Sequence, residues 1–322
     1  MRMRLLIFAI CLASSCIGFT QDPVKLRLTT LFNEAEQCYL MDDYQQLQEY
    51  CNQYGEIFDE YGGMLTDSVD VFQGYYYKML GAYHYGLADG NGFSFSFFDS
   101  ERYYLNGLEI FKQRNDQDKV VALHKELAQL YYKTKLYNMA SVHLDTVLTQ
   151  YDIWLNDLGI MSVEGDYYET LSQLAMCNAR IASHTEEDTA ARELFALSLS
   201  QIGQARRYYE SHKSDRNYGE TLRKQGKILM MQGDRMGSTN TGEARLCYQE
   251  YVKSQCTLVG QRLAAMDKSQ RGQYWLATHQ FLYDCYRLGG EAPEMLYDLA
   301  LFSKGYLLAF ERKNKETETR WQ

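Results

Sequence analysis

Proline is scarce in this chain, with only two prolines among 322 residues. A proline disrupts a helix interior because it lacks the backbone donor and its ring clashes with the preceding turn, so its scarcity favours long uninterrupted helices. A single globular core rarely grows to this length without splitting into domains. An all-α chain made of repeated helix pairs meets both conditions, since it lengthens simply by adding pairs.

The sequence also lacks the common signatures of catalysis and metal binding. No two cysteines have the Cys-x-x-Cys spacing of a metal site, and none of the six histidines lies in a His-Glu-x-x-His pattern. A Gly-x-Ser-x-Gly nucleophile turn and a phosphate-binding loop are missing as well. We therefore predict a non-enzymatic chain with neither a cofactor nor a metal ion.

The sequence also has fewer positively charged residues than negatively charged ones. The formal net charge is −9, and the lysines and arginines do not form a block. Nucleic-acid-binding proteins carry a basic patch or stripe that contacts the phosphates. The charge balance therefore argues against a nucleic-acid partner.

The first 20 residues differ from the rest of the chain. Arg2 and Arg4 precede the apolar run Leu5–Ala13, and small residues follow it. This order is typical of a secretory signal peptide, and the apolar run is too short to span a bilayer. We expect residues 1–20 to be this signal and the chain to be exported, to the periplasm, the outer membrane or the extracellular space.

Ala13-Ser14-Ser15-Cys16 resembles a bacterial lipobox, the motif in which the cysteine receives a lipid. The resemblance implies a lipid on Cys16, and that anchor would be the chain's one contact with a membrane. Ordinary cleavage near Gln21 is the alternative. Export would also permit disulfides, but Cys38 and Cys51 fall at positions that we interpret as buried small hydrophobic residues.

The repeat is clearest in Val121–Trp154. Ala128 and Ala140 fall at offsets 8 and 20 of a 34-residue unit, and Tyr131, Leu144 and Val147 fall at offsets 11, 24 and 27. This spacing resembles the tetratricopeptide (TPR) repeat, which is a pair of antiparallel helices. The resemblance implies that the small residues allow close approach of the two backbones and that the bulky ones fill the space between them.

The same spacing recurs along the chain, with small residues at intervals of 46, 47, 47, 51 and 51. A second small residue, followed four positions later by a large one, comes after each of the middle four. We therefore predict a TPR-like α-solenoid of about six antiparallel helix pairs over residues 22–312, followed by a charged tail over 313–322. The first small residues of the pairs are Ala35, Gly81, Ala128, Ala175, Gly226 and Ala277.

Helix bounds follow from apolar periodicity, capping residues and turn residues. Gly62-Gly63 favours a left-handed helix end, and Gly233–Gly242 is expected to be a polar loop. Phe93–Phe98 alternates with serine, which leaves a short strand, a packed loop and an exposed binding patch open. The predicted helices are Val24–Met41, Tyr44–Tyr61, Ser68–Leu87, Ser100–Arg114, Lys119–Leu136, Tyr137–Leu155, Asp166–Ser183, Thr189–His212, Tyr218–Gln232, Glu243–Met266, Ser269–Leu288 and Pro293–Arg312.

A second resemblance lies near the end of the sequence. Arg271–Trp275 and Leu296–Leu308 resemble the segment that leads into the caspase-like CHAT domain of bacterial TPR–CHAT proteins. In that family a protease-like domain with a His/Cys pair follows. The present sequence contains no counterpart of that domain, so its catalytic residues cannot be assigned here.

Binding is the function that the repeat favours. In TPR units the first helix lines a concave groove, and offset 5 is basic in three of the six pairs, at Lys78, Lys125 and Arg223. Gln129 and Lys227 at offset 9 and Lys133 at offset 13 extend the predicted partner-binding surface. Cations at these offsets resemble the carboxylate-binding groove of peptide-binding TPR domains, which implies an acidic protein or peptide partner.

Three functions remain open at this point. The first is an exported scaffold that binds a protein or peptide. The second is the regulatory arm of a truncated or split caspase-like protease, whose protease domain would then be the partner. The third is a surface glycan-binding lipoprotein that uses the 28 tyrosines and Phe93–Phe98.

Overall fold

The computed structural model describes residues 23–65, 68–88, 94–237 and 241–264, together with positions 266, 270, 297 and 300. These residues are all-helical and contain no strand. The predicted all-α class is therefore confirmed, and the helices pack in adjacent pairs, as in an α-solenoid. Apart from positions 270, 297 and 300, the last predicted pair, Ser269–Leu288 and Pro293–Arg312, lies outside the described residues, as do Ala277, Cys16, Gln21 and the 313–322 tail.

The chain divides into two compact units after Lys135, so the predicted pair around Ala128 and Ala140 is shared between them. The first unit holds five helices and the second holds five more among the described residues. Helices of the first unit are α1 (Pro23–Leu40), α2 (Tyr44–Tyr61), α3 (Val69–Leu87), α4 (Phe95–Gln113) and α5 (Gln117–Lys133). Those of the second are α6 (Tyr137–Asp152), α7 (Glu164–His184), α8 (Asp188–Ser211), α9 (Asp215–Met236) and α10 (Thr241–Ala264).

In the first unit each helix packs against the next along the chain. In addition, α1 contacts α3, and α3 contacts α5, so the first helices of successive pairs lie side by side. Apolar side chains from α1, α2 and α3, including Leu31, Tyr54 and Met79, form one buried cluster. The unit therefore has the layering expected of stacked helix pairs, with α1, α3 and α5 in one layer.

The second unit repeats this pattern. Each of its helices packs against its neighbour in sequence, and α7 also contacts α9. The buried polar residues Asn178 and Gln201 join α7 to α8 through an amide hydrogen bond of 3.0 Å. A buried amide needs such a partner because burying it unpaired would cost free energy.

The predicted small residues lie where helices approach closely. Ala35, Ala128 and Ala175 are buried alanines, and Gly81 and Gly226 are buried glycines. A Cβ atom added to Gly81 would lie 2.5 Å from the Tyr104 ring, and one added to Gly226 would lie 2.6 Å from Tyr248. Glycine at these two positions therefore makes room for a buried tyrosine from the following helix.

Three tight turns share one backbone geometry. Asp42, Asn115 and Lys213 each have a positive φ, between 51° and 58°. In each turn the next residue donates its backbone N–H to the carbonyl five residues back, as Asp43 does to Cys38 at 2.9 Å. This is the Schellman arrangement, which satisfies the last carbonyls of a helix. It explains how three-residue connections join antiparallel helices.

Three local predictions about helix ends were wrong. Of the alternatives left open for Phe93–Phe98, the strand is excluded over the described part, because Ser94 accepts a hydrogen bond from the backbone N–H of Phe97 and α4 begins at Phe95. The predicted start at Ser100 was therefore five residues late. Gly62 has a right-handed backbone and opens a short 3-10 turn, so the predicted left-handed cap is absent. The loop expected from Gly233 was also wrong at its start, because α9 continues to Met236 and Gly237 is its C-terminal cap.

Candidate functional site

The α1–α3–α5 layer of the first unit carries the most concentrated group of polar and aromatic contacts that bears on the predicted site. We call this surface the first-helix face and define it by Phe32, Glu36 and Tyr39 of α1, by Tyr75, Lys78 and Tyr85 of α3, and by Lys125, Glu126, Gln129 and Lys133 of α5. Because α3 contacts both α1 and α5, the face residues of these three helices lie in adjacent rows. Tyr39 and Tyr85, which have equal repeat offsets on α1 and α3, lie with their ring centroids 5.9 Å apart.

An ion cluster occupies the middle of this face. The Lys78 Nζ atom lies 2.9 Å from Glu36 Oε2, and the two side chains are only 12% and 28% exposed. The Tyr39 hydroxyl donates a 2.8 Å hydrogen bond to Glu126 Oε2. Three helices therefore contribute to one partly buried group of charges, in which the Lys78 ammonium stands beside the Glu36 and Glu126 carboxylates.

The pKa shifts follow from this arrangement. Burial alone would lower the pKa of the Lys78 ammonium, but the Glu36 and Glu126 carboxylates outweigh that effect and raise it. Burial raises the pKa of Glu126, and Glu36 raises it further, while Lys78 opposes the shift. Because partial burial weakens solvent screening, these charges depend on one another more strongly than surface charges do.

Aromatic rings flank the ion cluster on both sides. Phe32 stacks on Tyr75 with ring centroids 4.4 Å apart, and the Lys119 ammonium lies 5.6 Å from the centroid of Tyr75. Towards the other helix ends, Tyr39 meets Tyr85 edge to face at 5.9 Å. Partly exposed aromatic rings beside fixed charges are typical of surfaces that bind other proteins.

The predicted cations are already engaged within the chain. Lys133 donates a 2.7 Å hydrogen bond to the Tyr85 carbonyl and sits 4.3 Å from the centroid of the Tyr85 ring. Lys125 is partly buried and lowers the pKa of Glu126, whereas Gln129 is exposed. The structure thus brings Lys78, Lys125, Gln129 and Lys133 to one face, but Lys78 is paired with a carboxylate and Lys133 with a carbonyl.

Two predicted residues lie in the second unit. The Arg223 guanidinium is paired with Glu220 of the same helix at 2.8 Å, and Lys227 is partly buried. At the equivalent offset on α7, Ser172 accepts a 2.7 Å hydrogen bond from the Lys224 ammonium. Burial lowers the pKa of Lys224. Ser172 is only 2% exposed and donates its own proton to the Glu169 carbonyl, so this lysine–serine pair connects α7 to α9.

The prediction overlooked Glu36, Tyr39, Tyr85 and Glu126. One signal in the sequence could have identified part of this group, since Tyr39, Tyr85 and Tyr132 all stand four residues after the small residue of their repeat. The pairing of Lys78 with Glu36 had no such signal. It joins positions 42 residues apart, and only the packing of α1 on α3 brings them together.

The cysteines behave as small buried residues where they are described. Cys51, Cys177 and Cys247 are buried free thiols, and Cys38 is a partly buried one. Burial raises the pKa of Cys51 and of Cys177 to about 12, so these thiols are protonated at neutral pH. Among the described residues no group of three or more His, Cys, Asp or Glu could hold a metal ion.

The described part of the chain thus defines an all-α protein of packed helix pairs. Neither the known protein-family models nor the curated proteins include a match to it. The resemblances to TPR and TPR–CHAT proteins therefore stay predictions. Within the residues described, no helix combines the length and the apolar character needed to cross a membrane.

Proposed function

We propose that this protein is a TPR-like helical scaffold that binds a protein or peptide on its first-helix face. The observation that carries the proposal is the side-by-side packing of α1, α3 and α5, which gathers aromatic and charged side chains from three helices onto one surface. Solenoid proteins use such extended surfaces for binding. The buried small residues at the predicted repeat positions support the TPR-like arrangement.

The proposed partner is acidic, and its negative charge would contact the part of the first-helix face that is open to solvent. Lys125 and Gln129 stand one turn apart on α5, and neither is buried. An acidic segment would gain from the positive charge of Lys125. Each exposed charge contributes only about 0.2–1 kcal/mol, so one ionic contact cannot carry the affinity and the aromatic rings must contribute.

The test uses a tagged full-length chain and the proteins that co-purify with it. The double variant Lys125→Glu with Gln129→Glu should lose an acidic partner, and binding to the parent chain should weaken as salt screens the contact. Lys112→Glu with Gln113→Glu is the matched control, because both residues are exposed on α4 and lie outside the face. A partner retained equally by both variants would show that this face does not bind it.

We also propose export, with Cys16 as the lipid-bearing residue. The support is the charged, apolar and small-residue order of positions 1–16. Cells labelled with an alkyne fatty acid should mark the parent chain and not the Cys16→Ala variant. A parent chain found outside the cytoplasm without label would indicate ordinary signal cleavage instead.

A further inference from the structure

The strongest unassigned feature of the second unit is a region without any positive side chain. The 44 residues from Leu136 to Ala179 contain six aspartates and glutamates and no lysine or arginine, although the whole chain has 33 of these cations. The region covers α6, the connection to α7 and most of α7. Its charge is therefore of one sign over two helices and the loop between them.

The loop between these helices exposes large apolar side chains. It runs from Ile153 to Val163 and consists of a π-helical turn, a bend at Gly159 and a 3-10 turn. Leu158 and Met161 are each 62% exposed, and Ile153 and Ile160 are about 40% exposed. We call these four side chains the apolar tip. Soluble proteins seldom cluster exposed side chains of this kind, and such clusters mark interaction sites.

Backbone hydrogen bonds hold the apolar tip in place. The N–H of Ile160 donates to the Trp154 carbonyl at 2.8 Å, and the N–H of Leu158 donates to the Ile153 carbonyl at 3.2 Å. Gly159 allows the reversal because its φ of 65° is accessible to glycine without strain. A fixed loop loses little conformational freedom on binding, which favours recognition.

Three carboxylates lie beside or within the apolar tip along the sequence. Asp152 precedes the loop, Asp157 lies within it, and Glu164 follows it as the first residue of α7. Burial raises the pKa of Tyr167, and the nearby Asp152 carboxylate raises it further, so the start of the loop lies close to the first turns of α7. The ion pairs that join Lys78 to Glu36, Arg102 to Asp99, Arg223 to Glu220 and Arg235 to Asp188 involve none of these three carboxylates. Arg206, near the end of the neighbouring α8, bonds to Gln225 of α9 instead.

Charge complementarity then selects among the possible occupants. An anionic membrane surface would be repelled by the carboxylates, and the same holds for the equivalent loop of a second copy. A neutral apolar partner would form no ionic contact with the carboxylates. We propose that the apolar tip and its carboxylates bind a basic amphipathic segment of a partner protein, with its apolar side chains on the tip and its lysines or arginines on Asp152, Asp157 and Glu164.

The experiment measures binding of a fluorescent model peptide to the full-length protein. The peptide contains two copies of the heptad Leu-Lys-Lys-Leu-Leu-Lys-Leu, which forms a basic amphipathic helix, and a second peptide replaces every lysine with glutamate. We expect saturable binding of the basic peptide only. Its affinity should fall as salt rises, because the charges are screened.

Matched variants test the location of the site. Leu158→Ser with Met161→Ser should weaken binding of the basic peptide by about tenfold or more, since each contact buries a large apolar side chain. Asp152→Asn with Asp157→Asn should reduce the salt dependence. The control is Leu197→Ser with Leu246→Ser, which removes exposed apolar residues elsewhere in the same unit and should leave binding unchanged. Circular dichroism checks that each variant keeps its helix content.

Several results would overturn the inference. These are equal binding of the acidic peptide, equal affinity of the tip variant and the control, binding to phosphatidylcholine vesicles that the tip variant abolishes, or a dimer that the tip variant separates. The Lys125→Glu and Gln129→Glu changes on the first-helix face should not affect peptide binding. Failure here would therefore leave the proposed function of that face untouched.

Discussion

Lys78 shows that the sequence can place a residue on the correct helix and still not predict which group that residue contacts. Its repeat offset predicted a position on the first helix of a pair, and α3 has it there. The prediction treated it as a cation for a ligand. In the folded chain Lys78 already forms an ion pair with Glu36, because α1 packs directly on α3. A repeat offset identifies the face of a residue, but its partners depend on which helices meet.

Glu126 gives a prediction about pH. Its pKa is raised above the ordinary value of 4.5, chiefly by burial. The folded chain therefore keeps this proton at pH values where the unfolded chain has lost it, and this group makes the free energy of unfolding fall as pH rises through that window. Glu126→Gln imitates the protonated form, so the variant should lack this part of the pH dependence.

Urea unfolding of the parent chain and of Glu126→Gln at several pH values measures the effect. The variant should gain stability relative to the parent as pH rises above 4.5. Glu109→Gln is the control, because Glu109 is an exposed residue of α4. A constant difference between Glu126→Gln and the parent across the pH range would contradict the raised pKa.

Gly81 gives a prediction about packing. An alanine Cβ there would lie 2.5 Å from the Tyr104 ring, which is fully buried and has little room to move. Gly81→Ala should therefore destabilise the protein by about 1–3 kcal/mol through overpacking, reduced by the roughly 0.5–1 kcal/mol that alanine gains in a helix. Gly63→Ala is the control, since nothing lies within 4 Å of its added Cβ. Equal stability of the two variants in urea would argue against a close helix contact at Gly81.

At the scale of the helix, apolar periodicity located every described α-helix, and the errors fell at helix ends. Glycine at position 233 suggested a loop, because glycine weakens a helix. However, α9 continues to Met236, and Arg235 binds Asp188 at 2.8 Å and the carbonyls of Thr185 and Glu186. These contacts lie some 50 residues away in sequence and outweigh the local preference. Such distant contacts are not readable from a local pattern.

Helix starts follow local chemistry more closely, as Asp116 illustrates. Its carboxylate accepts a hydrogen bond from the backbone N–H of Lys119 at 3.3 Å and caps α5. Asp116→Ala should cost about 0.5–2 kcal/mol of stability, whereas Asp116→Asn should stay close to the parent because asparagine caps comparably. Thermal unfolding compares the three proteins. An asparagine variant as unstable as the alanine variant would mean that the charge, not the cap, is what matters.

At the scale of the whole molecule, the spacing of small residues predicted buried small positions that the structure confirms wherever it describes them. Ala35, Gly81, Ala128, Ala175 and Gly226 are all buried, because close packing of helices selects small residues at fixed intervals. The apolar tip was not predicted. Leu158 and Met161 are exposed because of the conformation of their loop. The periodicity of apolar residues in helices gives no information about that conformation. Sequence patterns therefore identified the repeated packing and overlooked the irregular connection.

The packing of successive helices also predicts how far the effect of a destabilising substitution extends along the chain. In a solenoid each pair contacts only its neighbours, so local stability depends on nearby interfaces. Gly81→Ala disturbs the contact between α3 and α4. Hydrogen exchange should therefore accelerate most in α3 and α4, less in α2 and α5, and least in α9 and α10. The Gly63→Ala control should leave all these rates unchanged. Uniform acceleration in every helix would instead mean that the chain opens as one cooperative body, against the nearest-neighbour behaviour of stacked helix pairs.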